Sequence, residues 1–224
     1  MPLRGASSGC STAAERASQT APSAPPRRAT LAAVATDELP LFPLHSVLFP
    51  GGTLRLRVFE PRYLDLVRRC TREGSCFGVC LLLDDASAPA AWGTRARIHD
   101  FFATAEGMLG IAATGEGRFR ATRTRVRDNG LIVASIERHD EPPPQPLRAE
   151  HCLLAQLLER LHQCAGGAHA RAAKACYDDA AWVGYRLAEA LPFSVRERQS
   201  LLQGGDAHAR LDHIARLLPR FQHE

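Results

Sequence analysis

The densest group of chemically active side chains is a run of arginines in the middle of the chain. Its members are Arg118, Arg120, Arg123, Arg125 and Arg127. Guanidinium groups pair with phosphates, so arginines gathered on one face could bind RNA. A regular strand alternates its side chains between two faces and would separate Arg118 and Arg120 from the other three, unless a bulge intervenes. An RNA-binding face is therefore one hypothesis, and a solvated strand face is the alternative.

Three cysteines form the second candidate for chemistry. Cys70, Cys76 and Cys80 are close enough in sequence to suggest a zinc site, with His45 or His99 as a fourth ligand. Structural zinc sites usually place paired ligands two to four residues apart on turns. Here Cys70 is expected on a helix, and the other two in or beside an apolar strand. The spacing favours buried thiols over metal ligation, and we predict no metal and no cofactor.

Side chains for nucleotide or covalent chemistry are scarce. The one lysine, Lys174, has no G-x-x-x-x-G-K-[ST] motif around it that would place it on nucleotide phosphates. Residues 5–9 (GASSG) match the G-x-S-x-G pattern of a hydrolase nucleophile. That motif needs a strand before it and a helix after it, whereas residues 5–9 lie in a segment without periodicity. We therefore predict no catalytic residues and no enzymatic activity.

Composition and charge exclude several classes of protein. No apolar run approaches the roughly 20 residues that cross a bilayer, and the N-terminus lacks the apolar centre of a secretory signal, so we expect a cytoplasmic protein with no membrane contact. Seven cysteines, an odd number, favour reduced thiols. The net charge is +3 over residues 1–36, +1 over residues 37–140 and zero over residues 141–224. Residues 37–224 are therefore nearly neutral, and they lack a positive electrostatic field strong enough to attract nucleic acid from a distance.

The chain divides into four segments by composition and periodicity. Residues 1–36 are rich in Ala, Ser, Pro and Arg, and we predict that they form a disordered tail. Residues 37–140 are mostly strand-like, residues 141–147 form a proline-rich linker, and residues 148–224 show helical spacing that predicts a bundle. The expected fold class is α+β, with a mostly antiparallel β pseudobarrel followed by a C-terminal helical bundle.

Turn and capping residues predict several element ends. Pro61 begins the main helix of the strand-rich segment and Gly74 ends it. Asp128-Asn129-Gly130 predicts a hairpin turn between residues 118–127 and 131–138, while the glycines of residues 115–117 predict another turn. The remaining expected strands are residues 77–83, 94–100 and 108–113. The expected helix caps in the bundle are Asp178, Ser194 with Glu197, and Asp206.

Six short motifs add a family resemblance. They are LPLFPL (39–44), LFPGG (48–52), VFEPRY (58–63), FGV (77–79), GTRARI (93–98) and GEGRFR (115–120). In order and spacing they resemble the Lon N-terminal domain family, the substrate-binding region of Lon-type proteases, which also occurs as a stand-alone protein in bacteria. The resemblance runs from about Glu38 to Leu218 and implies a pseudobarrel similar to the RNA-binding PUA fold.

The resemblance implies a binding function without the protease activity. Full-length Lon proteases add an ATPase and a protease domain with a Ser-Lys pair, and neither is evident here. The implied partners are unfolded or client polypeptides, or a protease or chaperone that this chain would serve as an adaptor or holdase-like factor. The candidate polypeptide-binding residues are Phe42, Leu44, Phe59 and Tyr63, together with Phe49 and Pro50. Packing in the core is the alternative role for each of them.

Overall fold

The computed structural model describes residues 37–82, 88–165 and 172–222. The predicted disordered tail, residues 1–36, lies outside them. Within the described ranges, no helix is both long and apolar enough to cross a membrane.

A six-stranded sheet forms the first part of the fold. Its strands are β1 (Asp37–Leu44), β2 (Thr53–Val58), β3 (Phe77–Leu81), β4 (Trp92–Ala103), β5 (Leu109–Val126) and β6 (Ile132–His139). The order is β2-β5-β4-β3-β1-β6, and β5 also pairs with β6. This extra pairing closes five strands into a ring, which leaves β2 attached to β5 alone. All pairs are antiparallel except β1 with β3, so the predicted mostly antiparallel pseudobarrel is confirmed.

Helix α1 (Pro61–Glu73) packs against the strands, and it begins and ends where the turn residues predicted. Pro61 is its first residue, and Gly74 ends it in the left-handed conformation with a backbone hydrogen bond to Cys70. The buried side chains of α1 follow helical spacing and pack on the barrel core. They are Tyr63, Leu66, Val67 and Cys70.

One predicted turn is wrong. Residues 115–117 lie inside β5, which continues through both glycines. A Cβ atom on Gly115 would lie 2.5 Å from the carbonyl oxygen of Phe49. Gly115 is therefore needed where another backbone approaches closely, and a strand as well as a turn can use glycine for that purpose. The second predicted turn, at Gly130, is confirmed, with φ at 79°.

The described ranges contain five α-helices. Four of them form the C-terminal bundle: α2 (Cys152–Ala165), α3 (Ala180–Ala190), α4 (Val195–Gln203) and α5 (Ala207–Leu217). Short 3-10 helices occur at Ala149–His151, Lys174–Asp178 and Leu218–Gln222. The capping box of Ser194 with Glu197 and the cap at Asp206 are confirmed. The cap of α3 is Asp179 rather than Asp178, and its carboxylate also accepts a hydrogen bond from the Gln145 backbone. This second bond explains the shift of one residue.

The bundle packs on the barrel through buried polar contacts as well as apolar ones. Arg186 is fully buried and donates from Nη2 to the Pro50 carbonyl at 2.7 Å. Glu141, in the proline-rich segment, accepts hydrogen bonds from Arg118 of β5 and from the Tyr185 hydroxyl of α3, both at 2.7 Å. The segment predicted as a spacer therefore contains a residue that ties the two parts together.

Candidate functional site

An apolar groove of about 380 Å³ lies where β1 and β2 end near the start of α1. Four of the six candidate residues for polypeptide binding line it: Phe42, Leu44, Phe59 and Tyr63. The sequence predicted these residues by type, and the fold brings them together from separate elements. The groove is therefore the strongest candidate for a binding site.

The floor of the groove is a pair of stacked rings. Phe42 of β1 and Tyr63 of α1 lie face to face, with centroids 4.0 Å apart, and both are buried in the barrel core. Burial raises the pKa of the Tyr63 hydroxyl, so this residue remains neutral at physiological pH. The floor is thus uncharged and firmly packed.

Arg62 forms the polar edge of the groove. Its guanidinium bonds the Glu60 carboxylate at 2.7 Å, donates to the Gly130 carbonyl at 3.1 Å, and lies 4.7 Å from the centre of the Tyr63 ring. These contacts join the start of α1 to the turn between β5 and β6. Arg62, which is not among the residues predicted from the sequence to bind a polypeptide, therefore positions one wall of the groove.

Phe59 forms the rim, and its side chain is 67% exposed. It lies between β2 and Pro61, where the chain passes from the strand into α1. A large exposed aromatic side chain beside an apolar groove is a common feature of protein-binding surfaces. Among the four lining candidates, Phe59 is the one most available to a partner.

Phe49 and Pro50, the other two candidates, lie elsewhere. Phe49 is fully buried in the cluster formed by the bundle helices, with its ring 5.6 Å from that of Tyr185. Pro50 is buried as well, and its carbonyl accepts the hydrogen bond from Arg186. Their positions match the core-packing alternative, and they do not contribute to the groove.

A β-bulge changes the arrangement of the arginine hairpin. The register shifts between Ala121 and Arg123, so that Arg120 pairs with Glu137 and Arg123 pairs with Ser135. Because paired residues share a face, the bulge at Thr122 places Arg120 and Arg123 on the same face of the sheet. The simple alternation expected from the sequence is interrupted at this point.

Carboxylates neutralise much of the hairpin's charge. Arg118 is buried against Glu141, Arg125 pairs with Glu38 at 2.9 Å, and Arg120 lies 3.9 Å from Glu137. In the described part of the chain, Arg123 and Arg127 form no ion pair within 4 Å. Two of the five arginines thus remain for a polyanion.

The cysteines predicted as buried thiols form no disulfide, and the Cys70 thiol lies 3.7 Å from the Cys76 carbonyl oxygen. Cys70 lies in α1 and Cys80 in β3, both buried, and burial raises the pKa of the Cys80 thiol to about 12. Cys76 is half-buried, and its thiol donates a hydrogen bond to the Glu116 carboxylate. Burial, the larger cause, and this hydrogen bond together raise the pKa of the Cys76 thiol to about 11. All three thiols are protonated at neutral pH, which disfavours nucleophilic chemistry.

A cluster of acidic and histidine side chains, with no motif in the sequence to indicate it, lies between α5 and the 3-10 helix before α2. Ligand-type atoms of Glu150, His151 and Asp212 lie within 4.8 Å of one another. His151 is buried and bonds Asp212 through Nε2 at 2.7 Å, while the His208 ring stacks on it. Such donors could coordinate a cation, but the hydrogen bond already explains the arrangement as a tie between helices.

Known proteins with related sequences include cereblon. The Danio rerio protein named "Protein cereblon" is 32% identical over 134 residues, which is 56% of this chain but 30% of that protein. The Gallus gallus protein of the same name is 27% identical over 94 residues, covering 41% of this chain and 21% of that protein. This chain therefore matches less than a third of the length of these relatives.

Solved structures match over most of the chain. A Lon N-terminal domain protein from Xanthomonas campestris is 51% identical, with a TM-score of 0.69 over 80% of this chain and 97% of that one. The N-terminal domain of the Mycobacterium avium complex Lon protease has the same fold, with a TM-score of 0.55 at 16% identity over 79% and 95% of the two chains. The model of the ATP-dependent protease La (LON) substrate-binding domain matches residues 38–220. The chain therefore belongs to the LON substrate-binding domain family.

Proposed function

We propose that this protein is a non-catalytic module that binds an extended apolar segment of another polypeptide in the groove. The observation that carries the proposal is the convergence of Phe42, Leu44, Phe59 and Tyr63 on one groove, with Phe59 exposed at its rim. Apolar pockets beside exposed aromatic residues suit unfolded chains, whose apolar side chains are available for contact. Membership in a substrate-binding family supports the same function.

The biological role that fits this activity is that of an adaptor or holdase-like factor in the cytoplasm. A module that holds a client without using ATP can keep it from aggregating or can deliver it to a protease or chaperone. The groove supports such a role because its mostly apolar lining offers contact area for a client.

A direct binding assay tests the proposal. A permanently unfolded, cysteine-alkylated model polypeptide carrying a fluorescent label is titrated with the protein, and anisotropy is recorded at low and high salt. We expect binding that changes little with salt, because apolar contacts carry it. The same polypeptide in its folded, disulfide-bonded form serves as the control. Equal binding of the two forms, or no binding of the unfolded one, would contradict the proposal.

RNA binding by the hairpin is the second candidate, because the bulge at Thr122 gathers arginines on one face. The test is a titration of single-stranded RNA with the wild-type protein and with the double variant Arg123→Ala, Arg127→Ala. RNA binding would weaken steeply with salt and would fall further in the variant. Binding that is absent at physiological salt would remove this candidate and leave polypeptide binding unaffected.

A further inference from the structure

The strand next to the groove has one unpaired edge. β2 pairs in unbroken register with β5, from Thr53 opposite Thr114 to Val58 opposite Leu109. Among the described strands, β2 pairs with no other. An unpaired edge presents a row of backbone donors and acceptors that another extended chain can bind.

The hydrogen bonds identify which residues of β2 face that edge. The Gly115 amide donates to the Gly52 carbonyl at 2.9 Å, which fixes Gly52 as a residue directed toward β5. Alternate residues of an antiparallel strand direct their N–H and C=O groups to the same side. The amides and carbonyls of Thr53, Arg55 and Arg57 therefore point away from β5, toward the open edge.

The two charged side chains among these residues make contacts on the outer face of the sheet. The Arg55 guanidinium lies 4.1 Å from the centre of the Phe102 ring, which belongs to β4 on the far side of β5. Gly110 of β5 makes this reach possible, since a Cβ atom there would lie 2.3 Å from Phe102. Arg57 likewise reaches Glu106, in the turn between β4 and β5. Charges often protect an edge strand from pairing. Here Arg55 reaches across the outer face to Phe102, whereas Arg57 also lines the groove, where an acidic residue of an added strand could pair with it.

The groove begins at this open edge. Leu56, Arg57 and Phe59 form one wall, while Pro43 and Leu44 of β1 form the opposite wall. Leu44 already uses its carbonyl to accept a hydrogen bond from the Leu82 amide, and Pro43 has no amide to donate. The β1 wall is thus a poor partner for backbone pairing, and the β2 wall is a good one.

We propose that the groove takes its polypeptide as an added β-strand, hydrogen-bonded to the open edge of β2. The inference rests on the polypeptide binding proposed above and names the class of segment that is bound. Leu54 and Leu56 face the barrel core, whereas Arg55 and Arg57 face solvent. The matching segment is extended, with apolar residues alternating with acidic ones, because cross-strand neighbours then pair apolar with apolar and acidic with basic.

Backbone methylation of a peptide tests the inference. The probe is a short synthetic peptide in which leucine or valine alternates with glutamate. One derivative carries N-methyl groups on the glutamate amides and a matched derivative carries the same number on the apolar amides. We expect one derivative to lose roughly tenfold or more in affinity and the other to bind almost unchanged, because alternate amides face β2. Equal losses, or no loss in either, would overturn strand addition.

Amide exchange in the protein gives a second, independent readout. In the free protein the amides of Arg55 and Arg57 should exchange rapidly, while those of Leu54 and Leu56 are protected by β5. Saturating peptide should slow exchange at Arg55 and Arg57 and leave Leu54 and Leu56 unchanged. If the amides of Arg55 and Arg57 stay unprotected under saturation, the strand does not form.

A pair of variants separates the backbone from the side chain at one position. Arg57→Pro removes the edge amide and Arg57→Ala keeps it, while both remove the charge. We expect Arg57→Pro to lose roughly tenfold more affinity than Arg57→Ala. Circular dichroism checks folding, and the methylation and exchange experiments test strand addition if Arg57→Pro does not fold.

The experiments distinguish failure of strand addition from failure of the proposed function. If the unfolded polypeptide binds without the effects of methylation, exchange and substitution, only strand addition is wrong. If neither the unfolded polypeptide nor the peptide binds, the proposed function is wrong as well.

Discussion

The rings of Phe42 and Tyr63 stack with their planes 17° apart, and they join the end of β1 to the first turn of α1. This stack belongs both to the barrel core and to the floor of the groove. A substitution in it would change stability and binding together. The rim residue Phe59, which is exposed and outside the core, is the better probe of binding.

The first prediction concerns Phe59. Phe59→Ala should weaken binding of the unfolded polypeptide several-fold and change the free energy of unfolding by less than about 0.5 kcal/mol, because the ring is largely exposed. Anisotropy titration and urea denaturation measure the two quantities. Phe101→Ala is the matched control, since that ring is also exposed but lies outside the groove. An equal effect of both variants on binding would show that general surface apolarity is responsible.

Phe49→Ala is a control with the opposite expectation to Phe59→Ala: a loss of stability with little change in binding. Phe49→Ala should destabilise the protein by about 3–5 kcal/mol, because it opens a cavity in the cluster shared with the bundle. Its effect on binding, measured well below the new denaturation midpoint, should be small. A large specific loss of affinity in a folded Phe49→Ala protein would place the site elsewhere.

The second prediction concerns Glu141, which compensates buried charge. Its carboxylate accepts from Arg118 and from Tyr185, whose hydroxyl also accepts from Arg210. Glu141→Gln should cost about 3–5 kcal/mol, since removal of one partner leaves a buried guanidinium uncompensated. Urea denaturation measures this cost. The control is Glu137→Gln, where the pair with Arg120 is about half exposed and should contribute less than about 1 kcal/mol.

The third prediction is a dependence of stability on pH. Desolvation raises the pKa of Glu189 to about 7, although Arg186 acts in the opposite direction. The raised pKa means that the folded protein binds a proton more tightly than the unfolded chain does. The stabilisation is present below the unfolded pKa near 4.5 and is lost as pH rises through about 7. We therefore expect the free energy of unfolding to fall by roughly 2–3 kcal/mol between pH 5 and pH 8 from this group.

Glu189→Gln isolates this effect. The variant should lack the fall between pH 5 and pH 8 in urea denaturation experiments, because an amide has no proton to lose. Glu197 acts in the opposite sense at lower pH: hydrogen bonds from Arg220 and Ser194 lower its pKa to about 2, so its contribution is lost as pH falls below about 4.5. An unchanged profile in Glu189→Gln would mean that another group causes the dependence.

The fourth prediction concerns the glycine that the sequence assigned to a turn. Gly115→Ala should destabilise the protein by about 1–3 kcal/mol, because the new methyl group would approach the Phe49 carbonyl to within 2.5 Å. Gly205→Ala is the control, since nothing lies within 4 Å of the added atom. Thermal denaturation of the two variants should differ clearly. Equal melting temperatures would show that β5 can move away from Phe49 at little cost.

Local signals in the sequence predicted element ends well. The Pro61 start and Gly74 end of α1, and the cap of α4 at Ser194, depend on residues within one turn of the helix. The cap of α3 was displaced by one residue because Asp178 and Asp179 are equivalent locally. The Gln145 backbone, which is distant in sequence, decides between them.

Long-range arrangement was harder to predict. Residue type selected Phe42 and Phe49 equally well, but the closure of the barrel leaves Phe42 beside the groove and buries Phe49 under the bundle. Glycine near residue 115 could serve a turn or a close backbone approach, and the composition of the segment does not distinguish them. Arg62 was not selected because its role depends on the Gly130 carbonyl, which only the fold brings near.

The bulge at Thr122 affects how the charge of the β5–β6 hairpin can differ between related proteins. A single extra residue in β5 determines which arginines share a face with Arg123, so the charge pattern of the hairpin depends on chain length as much as on composition. A relative that lacks this one residue, with every arginine retained, would distribute its positive charge over both faces. Two such proteins would be nearly identical in sequence and would differ in their attraction to polyanions, so an insertion or deletion at this position carries more functional information than a substitution.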